Sequence, residues 1–306
     1  MFASPAWHFH LYLASWLIVG GLGAGYALLL ARGDRQSIKG RCCAVGGLLA
    51  LLVATNWPLA DFATSRSLSA LTVQRLILLL AAPPLLVIGM PSRLLAVVTR
   101  PPLVDWVIRR SARPAVAVVI VTVVVAGTLT TEAVKAEATS AWARGGFDLA
   151  LIVGGLILWT PVMNELPGTD RPSALGRAGY LIIQSIVPSF LAIIWIFSRH
   201  PLYAPFAHGA ATNPALFAQA LRDQQIAGFI AKFATIAVLW TVAFVSLSRT
   251  QHAIAEGRDP EPLLWSDVQR RLERAERRER RNVWLPPSYK DPSPRDLFEH
   301  DEPQQE

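Results

Sequence analysis

The amino-acid sequence predicts an all-α fold, a polytopic membrane bundle of seven transmembrane helices with the N-terminus outside and the C-terminus in the cytoplasm. Three observations predict it. Apolar runs near twenty residues long recur along the chain, and this is the length that a helix needs to cross a bilayer. Charged residues make up only 17% of the 306 residues, whereas soluble proteins contain about a quarter. Basic residues are concentrated in alternate connections between the runs.

Each apolar run defines one expected span. No basic residue precedes the first run and no small-residue cleavage site follows it, so we expect a retained helix and not a signal peptide. The bundle is expected to occupy residues 1–250, followed by a basic cytoplasmic tail at 251–306 with a short helix and a disordered end. The predicted spans are 7–30, 42–59, 69–89, 114–129, 147–163, 179–197 and 224–247.

The placement of Lys and Arg predicts the orientation. Of the 29 basic residues, 22 fall in the first, third and fifth connections and in the tail, and five fall in the remaining connections. Two more, Arg75 and Lys232, lie inside spans. Cytoplasmic connections contain the excess of basic residues, so the tail is expected in the cytoplasm.

The third span contains residues that are unusual in lipid. It reads LTVQRLILLLAAPPLLVIGM over residues 71–90, with Gln74 and Arg75 near its start and Pro83 and Pro84 beyond its middle. Lipid cannot satisfy a backbone carbonyl freed by proline, which predicts a kink packed against other helices. An arginine at this depth needs a partner, a water cavity or a route to the interface. We therefore expect this helix to face the bundle.

The tail is strongly basic, with LWSDVQRRLERAERRERR at residues 264–281. A capping-box pattern at Ser266 and Gln269, followed by opposite charges at i,i+4, predicts a short helix. This helix is either solvated in the cytoplasm, where an excess of basic residues is expected, or it lies on anionic lipid. Membrane lipids are therefore expected partners, with anionic lipid at the tail. Nucleic acid is not an expected partner, because basic residues are already expected on the cytoplasmic side of a membrane protein.

Five motifs occur in the order typical of one family. They are Asn56-Trp57-Pro58-Leu59, QRLILLLAAPPLLVIGMP from residue 74, LILWTPVM at 156–163, HPLYAPFA at 200–207 and DQQIAGFI at 223–230. Over about residues 7–250 the chain resembles the seven-span cytochrome oxidase assembly factor family of the CtaG type. The resemblance implies a membrane factor that helps to mature a haem–copper cytochrome c oxidase in a bacterial plasma (inner) membrane. Oxidase subunits are the partners that it implies.

The chain departs from that family where relatives have histidines. Two family histidines flank the glutamine of the third span, and this chain has Leu71 and Arg75 there. Family histidines near the fourth and fifth spans correspond to Thr130 or Thr131 and to Asp148. The resemblance thus implies that the ligand set is lost, and a scaffolding or partner-binding role is expected in place of direct copper ligation.

Intramembrane polar residues are the candidate site. Arg75 and Asp148 replace two family histidines, so we expect them to form an ion pair; alternatively each reaches the outer interface by itself. Lys232 and Asp223 of the last span could join or compete with this pair. The full set of candidates is Gln74, Arg75, Pro83, Pro84, Asp148, Asp223, Gln224 and Lys232.

No cofactor is firmly predicted, and copper is the one candidate. A rebuilt copper site would use the histidines expected outside, although loop histidines are more often not ligands. Cys42 and Cys43 are better explained as small apolar residues than as soft-metal ligands. The candidate copper ligands are His8, His10, His200 and His208.

Catalysis is not expected, because the sequence shows no nucleophile-and-base pair, phosphate-binding glycine loop or paired-carboxylate motif. The glycine runs at 20–25, 46–47 and 154–155 are typical of close helix packing. Two other functions stay open. A transporter or channel would line a polar path with Arg75, Asp148 and Lys232 and would need water in the bundle. A receptor would need a cytoplasmic partner for the tail.

Overall fold

The computed structural model describes residues 12–31, 36–163 and 173–257. Within these residues every regular element is helical, as the predicted all-α fold requires. The helices are α1 (Leu13–Ala31), α2 (Ile38–Thr55), α3 (Leu59–Ser65), α4 (Leu68–Leu76), α5 (Ala82–Gly89), α6 (Ser92–Val98), α7 (Pro102–Ser111), α8 (Pro114–Thr128), α9 (Thr131–Thr139), α10 (Ala141–Trp159), α11 (Ala174–Phe197) and α12 (Pro214–Ala255), with a π-helical turn at Ile77–Ala81 and a 3-10 turn at Ala204–Phe206.

Five helical segments of the described chain are long and apolar enough to cross a membrane: α2, the continuous segment Leu68–Gly89, α10, α11 and α12. α7 and α8 add a sixth only if they count as one span, because the chain bends by 103° between them. α8 has 15 residues, or about 22 Å of helix, against about 30 Å of hydrocarbon. The seventh span and the orientation remain predictions.

Some elements differ from the predicted ones in length. α12 has 42 residues, whereas the sequence predicted a span over 224–247 only. Hydropathy detects the apolar middle of this helix, and flanking residues such as Ala, Gln and Arg extend it because they favour helix without being apolar. The predicted connections after the second and fourth spans contain α3 and α9.

The third span is continuous, but its middle is not α-helical. The π-helical turn lies directly before Pro83 and Pro84. Prolines have no N–H, so the carbonyls of Leu79 and Leu80 have no donor four residues on, and a wider turn accommodates the change. α10 fits tightly here, since a Cβ added at Gly155 would lie 2.5 Å from Leu79 O and 2.5 Å from Pro83 Cγ.

Close approach at glycine also joins α5 to α2. A Cβ added at Gly89 would lie 2.4 Å from Ala44 N, and one at Gly47 would lie 2.8 Å from Leu86 Cγ. The packing role predicted for the glycine runs thus holds at 46–47 and 154–155. It does not hold for the run at 20–25, where only Gly23 has a described neighbour within 4 Å of an added Cβ.

The main apolar core lies between the third span, α8, α10, α11 and α12. Its fully buried side chains include Val121, Leu158, Leu181 and Leu239. Leu79 and Leu80 of the third span belong to the same core, which therefore joins five segments of the bundle.

The chain divides into two units, Met1–His252 and Ala253–Glu306. The helices discussed below belong to the first unit, except for the last three residues of α12. Of the second unit only residues 253–257 are described, so the predicted basic helix of the tail lies outside the described residues.

Candidate functional site

Arg75 is a buried cation near the end of α4, with 7% of its surface exposed. Its Nη2 donates a hydrogen bond to Oε2 of Glu137 at 2.5 Å, and both side chains are less than a tenth exposed. A charge inside a membrane bundle is costly unless it is paired and hydrogen-bonded. Glu137 is therefore the counter-ion of Arg75.

The short helix α9 brings Glu137 to this place. Thr130 begins the helix, because its Oγ1 accepts a hydrogen bond from Ala133 N at 3.3 Å. Val134 and Glu137 are three residues apart and share one face, and both are buried. Val134 belongs to an apolar cluster with Leu71. Burial of Val134 thus turns the carboxylate of Glu137 into the bundle.

Asp148 is not the ion-pair partner of Arg75. Its Oδ1 accepts a hydrogen bond from Nε2 of Gln74 at 3.4 Å, while the ion pair of Arg75 is with Glu137. Successive residues of a helix point about 100° apart, so Gln74 faces α10 when Arg75 faces α9. The predicted ion pair between Arg75 and Asp148 was wrong, because the acidic partner of Arg75 is Glu137. The connection between the fourth and fifth predicted spans forms the helix α9, which brings Glu137 to Arg75.

Two nitrogens of Arg75 remain free for other contacts. Nε and Nη1 have no hydrogen-bond partner among the described residues. The carboxyl of Glu137 lies outside the spans, and burial raises its pKa above the usual range of glutamate, although the Arg75 guanidinium opposes this shift. Arg75 and Glu137 thus form a buried hydrogen-bonded pair in which two nitrogens of Arg75 have no partner among the described residues.

A second polar group joins the start of α1 to α3 and α10. Tyr12 donates its hydroxyl proton to Oδ1 of Asp61. Arg144 Nη1 donates to the same hydroxyl at 3.3 Å, and the guanidinium lies 5.7 Å from the ring centroid. A small crevice lined by Gln74, Glu137 and Arg144 lies between this group and the ion pair. Polar side chains from five segments therefore meet at one end of the bundle.

Asp223 holds the start of α4. Its Oδ1 accepts from Ser67 Oγ at 2.8 Å, and its Oδ2 accepts from Leu68 N at 2.6 Å. These bonds satisfy an N–H group that the helix itself leaves unpaired. The residue predicted to join or compete with the ion pair therefore caps the helix that contains Arg75.

Gln224 fixes the connection between α11 and α12. Its Oε1 accepts from Leu202 N at 2.7 Å, and its Nε2 donates to His200 O at 3.3 Å and to Trp195 O at 3.4 Å. Tyr203 of the same connection donates to Leu129 O at 2.7 Å. The DQQ and HPLY motifs therefore contact each other, and their polar atoms hold backbone.

Lys232 stands apart from the Arg75 ion pair. Its Nζ lies 6.0 Å from the ring centroid of Phe233, a largely exposed side chain on the same helix. A cation over an aromatic ring gains a modest attraction. Neither Lys232 nor Asp223 joins the pair of Arg75 and Glu137.

The candidate copper ligands are not gathered at one place in the described chain. His200 and His208 are exposed, and the ring of His200 lies edge-on to Phe217 at 5.9 Å. His8 and His10 lie outside the described residues. No group of three or more His, Cys, Asp or Glu in residues 12–31, 36–163 and 173–257 is placed to hold a metal ion. Cys42 and Cys43 are free thiols.

Residues 23–252 match the model of the cytochrome c oxidase caa3 assembly factor family. The chain belongs to this family. The match confirms the resemblance seen in the motifs, and it runs from the middle of α1 nearly to the end of α12, so that it includes the Arg75–Glu137 pair. No curated protein and no solved structure is significantly similar to the chain.

Membership of the assembly factor family raises the question of copper at the third span. Leu71 is buried with 3% exposed and offers only an alkyl side chain. Arg75 is a permanent cation that donates and does not accept. Copper needs imidazole, thiolate or thioether ligands, so the residues at this place do not fit a copper ion.

Sequence reasoning missed Glu137 and the group of Tyr12, Asp61 and Arg144. A local signal for Glu137 existed, because TTEAVKAEATS at 130–140 places strong helix formers between a threonine cap and a serine cap. No local signal joins Tyr12 to Asp61, which are 49 residues apart.

Proposed function

We propose that this assembly factor acts as a scaffold that holds an oxidase subunit at the outer end of the bundle, and that it does not itself ligate copper. The observation that supports this most directly is the Arg75–Glu137 ion pair at 2.5 Å. Its arginine stands where the family resemblance places a histidine, and a salt bridge to Glu137 occupies the site.

A partner needs a surface, and the turn between α9 and α10 offers one. Glu137 points inward from this turn, whereas Trp142, five residues later, is 93% exposed. Exposed tryptophans mark protein interfaces or the membrane–water boundary. In this proposal the inward ion pair holds the turn rigid, and Trp142 presents its ring to the oxidase subunit.

The same proposal includes the location and the orientation of the protein in the membrane. We infer seven spans in a bacterial plasma membrane, with the N-terminus and the Arg75 end outside and the tail inside. The excess of Lys and Arg in alternate connections supports this orientation. The helical domain would comprise residues 1–250, and the basic tail at 251–306 would lie on anionic lipid and not on nucleic acid. A catalytic role forms no part of the proposal.

The test is maturation of the oxidase in a strain that lacks this protein. We expect oxidase activity and its absorption spectrum to be lost, and added copper not to restore them. Recovery by copper alone would instead assign copper delivery to the protein. A gene with His8, His10, His200 and His208 all changed to alanine should restore the oxidase fully.

Two tryptophan variants locate the contact. Trp142→Ala should lower oxidase maturation several-fold while the protein remains in the membrane at its normal level. Trp106→Ala is the matched control, since Trp106 is also exposed, at 62%, but lies on α7. Equal effects of the two changes would count against a partner site at the α9–α10 turn.

A further inference from the structure

The helix α7 has no part in the scaffold proposed above, and its position relative to α8 is unusual. The two helices are separated by two residues, and the chain bends by 103° between them. α8 contains no charged residue and contributes to the main apolar core. Arg113, directly before α8, is exposed, and basic residues at the end of an apolar helix are typical of the membrane surface. A helix that leaves this point nearly at a right angle to α8 runs along that surface.

One side of α7 packs on the bundle. Val104, Ile108 and Ser111 are spaced at i, i+4 and i+7 and therefore share this side. Ser111 is buried and the other two are half-buried. Ser111 Oγ also donates a hydrogen bond to Ile108 O at 3.2 Å. Packing thus holds α7 in its bent position and turns the rest of its surface outward.

The outward side of α7 combines apolar and basic side chains. Leu103, Trp106 and Arg110 are spaced at i, i+3 and i+7 and share this side. Leu103 is 71% exposed, and Trp106 and Arg110 are also exposed. Arg109 forms an ion pair with Asp105 at 2.8 Å, whereas Arg110 forms none with the described residues. The outward side therefore presents two apolar side chains beside an unpaired cation.

We propose that α7 lies in the membrane–water interface and binds the headgroup of an anionic phospholipid. Leu103 and Trp106 insert at the level where the acyl chains begin, as the apolar side chains of interfacial helices do. The guanidinium of Arg110 binds the lipid phosphate, for which its planar group of donors is suited. Arg113 is three residues further along the chain and exposed, so it adds a second cation for the same headgroup.

Charge favours an anionic lipid over other occupants of this surface. A zwitterionic headgroup would bring its own cation close to Arg110 and Arg113, whereas an anionic headgroup leaves both arginines attracted to it. A soluble protein is disfavoured by size, because three side chains cover much less than the about 800 Å² that each partner buries in a stable protein interface.

The test uses the purified full-length protein in vesicles of phosphatidylcholine. Cys42 and Cys43 are free thiols and are first changed to serine, and Leu103→Cys is then labelled with bimane, a fluorophore that is itself apolar. The same small fraction of the lipid is replaced by nitroxide-labelled phosphatidylglycerol, which is anionic, or by nitroxide-labelled phosphatidylcholine. We expect phosphatidylglycerol to quench the fluorophore at least twice as strongly, because it is enriched next to α7.

The arginines of α7 should account for this preference. Arg110→Gln should remove at least half of the excess quenching by phosphatidylglycerol, and the further change Arg113→Gln should remove nearly all of it. Arg249→Gln is the control, since Arg249 is an exposed arginine on α12, and the excess should be unchanged. All three side chains are exposed, so thermal melting should show that the variants are folded.

Three results would overturn the proposal. Equal quenching by the two lipids would show that α7 contacts the membrane without selecting charge. An excess that survives the loss of Arg110 and Arg113 would place the anionic lipid elsewhere. Quenching by aqueous iodide and by neither lipid would place this side of α7 in water, as a surface for a soluble protein. Oxidase maturation is not a readout here, so none of these results bears on the scaffold proposal.

Discussion

Arg75 and Glu137 are 62 residues apart in the chain and form a buried ion pair across α4 and α9. Val134 of α9 belongs to the same buried apolar cluster as Leu68 and Leu71 of α4, and this cluster holds the two helices together. The ion pair can therefore form only when α4 and α9 pack against each other.

Breaking the pair should be costly. Arg75→Met or Glu137→Leu alone leaves an uncompensated buried charge and should reduce the free energy of unfolding by about 3–5 kcal/mol. The double variant should be less destabilised than either single one. Unfolding in bicelles, analysed as a double-mutant cycle, measures the coupling.

The control for this cycle lies on the same helix. Lys135 and Glu132 form an ion pair at 2.9 Å with exposed side chains, so their coupling should be only about 0–1 kcal/mol. A cycle between Arg75 and Asp148 should also give the smaller value. Additive effects of Arg75→Met and Glu137→Leu would show that the two side chains do not interact.

The stability of the bundle should depend on the protonation of Glu137. Burial raises the pKa of this carboxyl in the folded state. At pH values between the ordinary pKa of the unfolded chain and the raised pKa of the folded protein, the folded protein therefore binds more protons than the unfolded chain. Stability is then greatest below the ordinary pKa and falls as pH rises through the raised one.

Unfolding measured from pH 4 to pH 8 checks this dependence. Glu137→Gln cannot titrate and should flatten the fall in stability, whereas Glu132→Gln, at an exposed position on α9, should keep the slope of the natural protein. Parallel pH profiles for all three proteins would contradict the assigned direction.

α10 fits closely against the π-helical turn at one glycine and has open space at another. Changing each of these glycines to alanine should therefore have opposite effects on the stability of the protein. Gly155→Ala places a methyl group 2.5 Å from Leu79 O and should destabilise the protein by about 1–3 kcal/mol. Gly146→Ala on the same helix meets no described atom within 4 Å and should stabilise it by up to about 1 kcal/mol. Thermal melting in one detergent compares them, and a neutral Gly155→Ala would show that the two helices are farther apart.

The predicted orientation is tested with reporter fusions after Leu30, Ser111 and Arg249. All three should report a cytoplasmic location, because 22 basic residues lie on that side. Fusions after Ser65 and Ser140 should report the outside. Periplasmic signals at two of the first three positions would reverse the topology.

The sequence could predict what depends on one helix at a time. Hydropathy located the five long spans, and the order of motifs located the family. It could not predict which acid pairs with Arg75, because that depends on how α9 folds back against α4. From position in the chain alone, Asp148 is a reasonable partner for Arg75. In the structure the residue before Arg75 faces α10, so Asp148 accepts its hydrogen bond from Gln74 instead. The roles of Asp223 and Gln224 as backbone clamps also depend on contacts between distant segments.

The separation of Arg75 from Glu137 has a consequence for biogenesis. During synthesis the third span leaves the ribosome with an arginine whose counter-charge is encoded 62 residues later. On insertion scales an unpaired arginine costs about 2.5–3.5 kcal/mol at the centre of a span, and Arg75, which lies nearer one end of Leu68–Gly89, should cost part of this. A nascent chain that ends before Thr131 should therefore integrate this span poorly, and one that ends after Ser140 should integrate it well. Membrane integration of α4 and translation of α9 are thus coupled steps in the biogenesis of this protein.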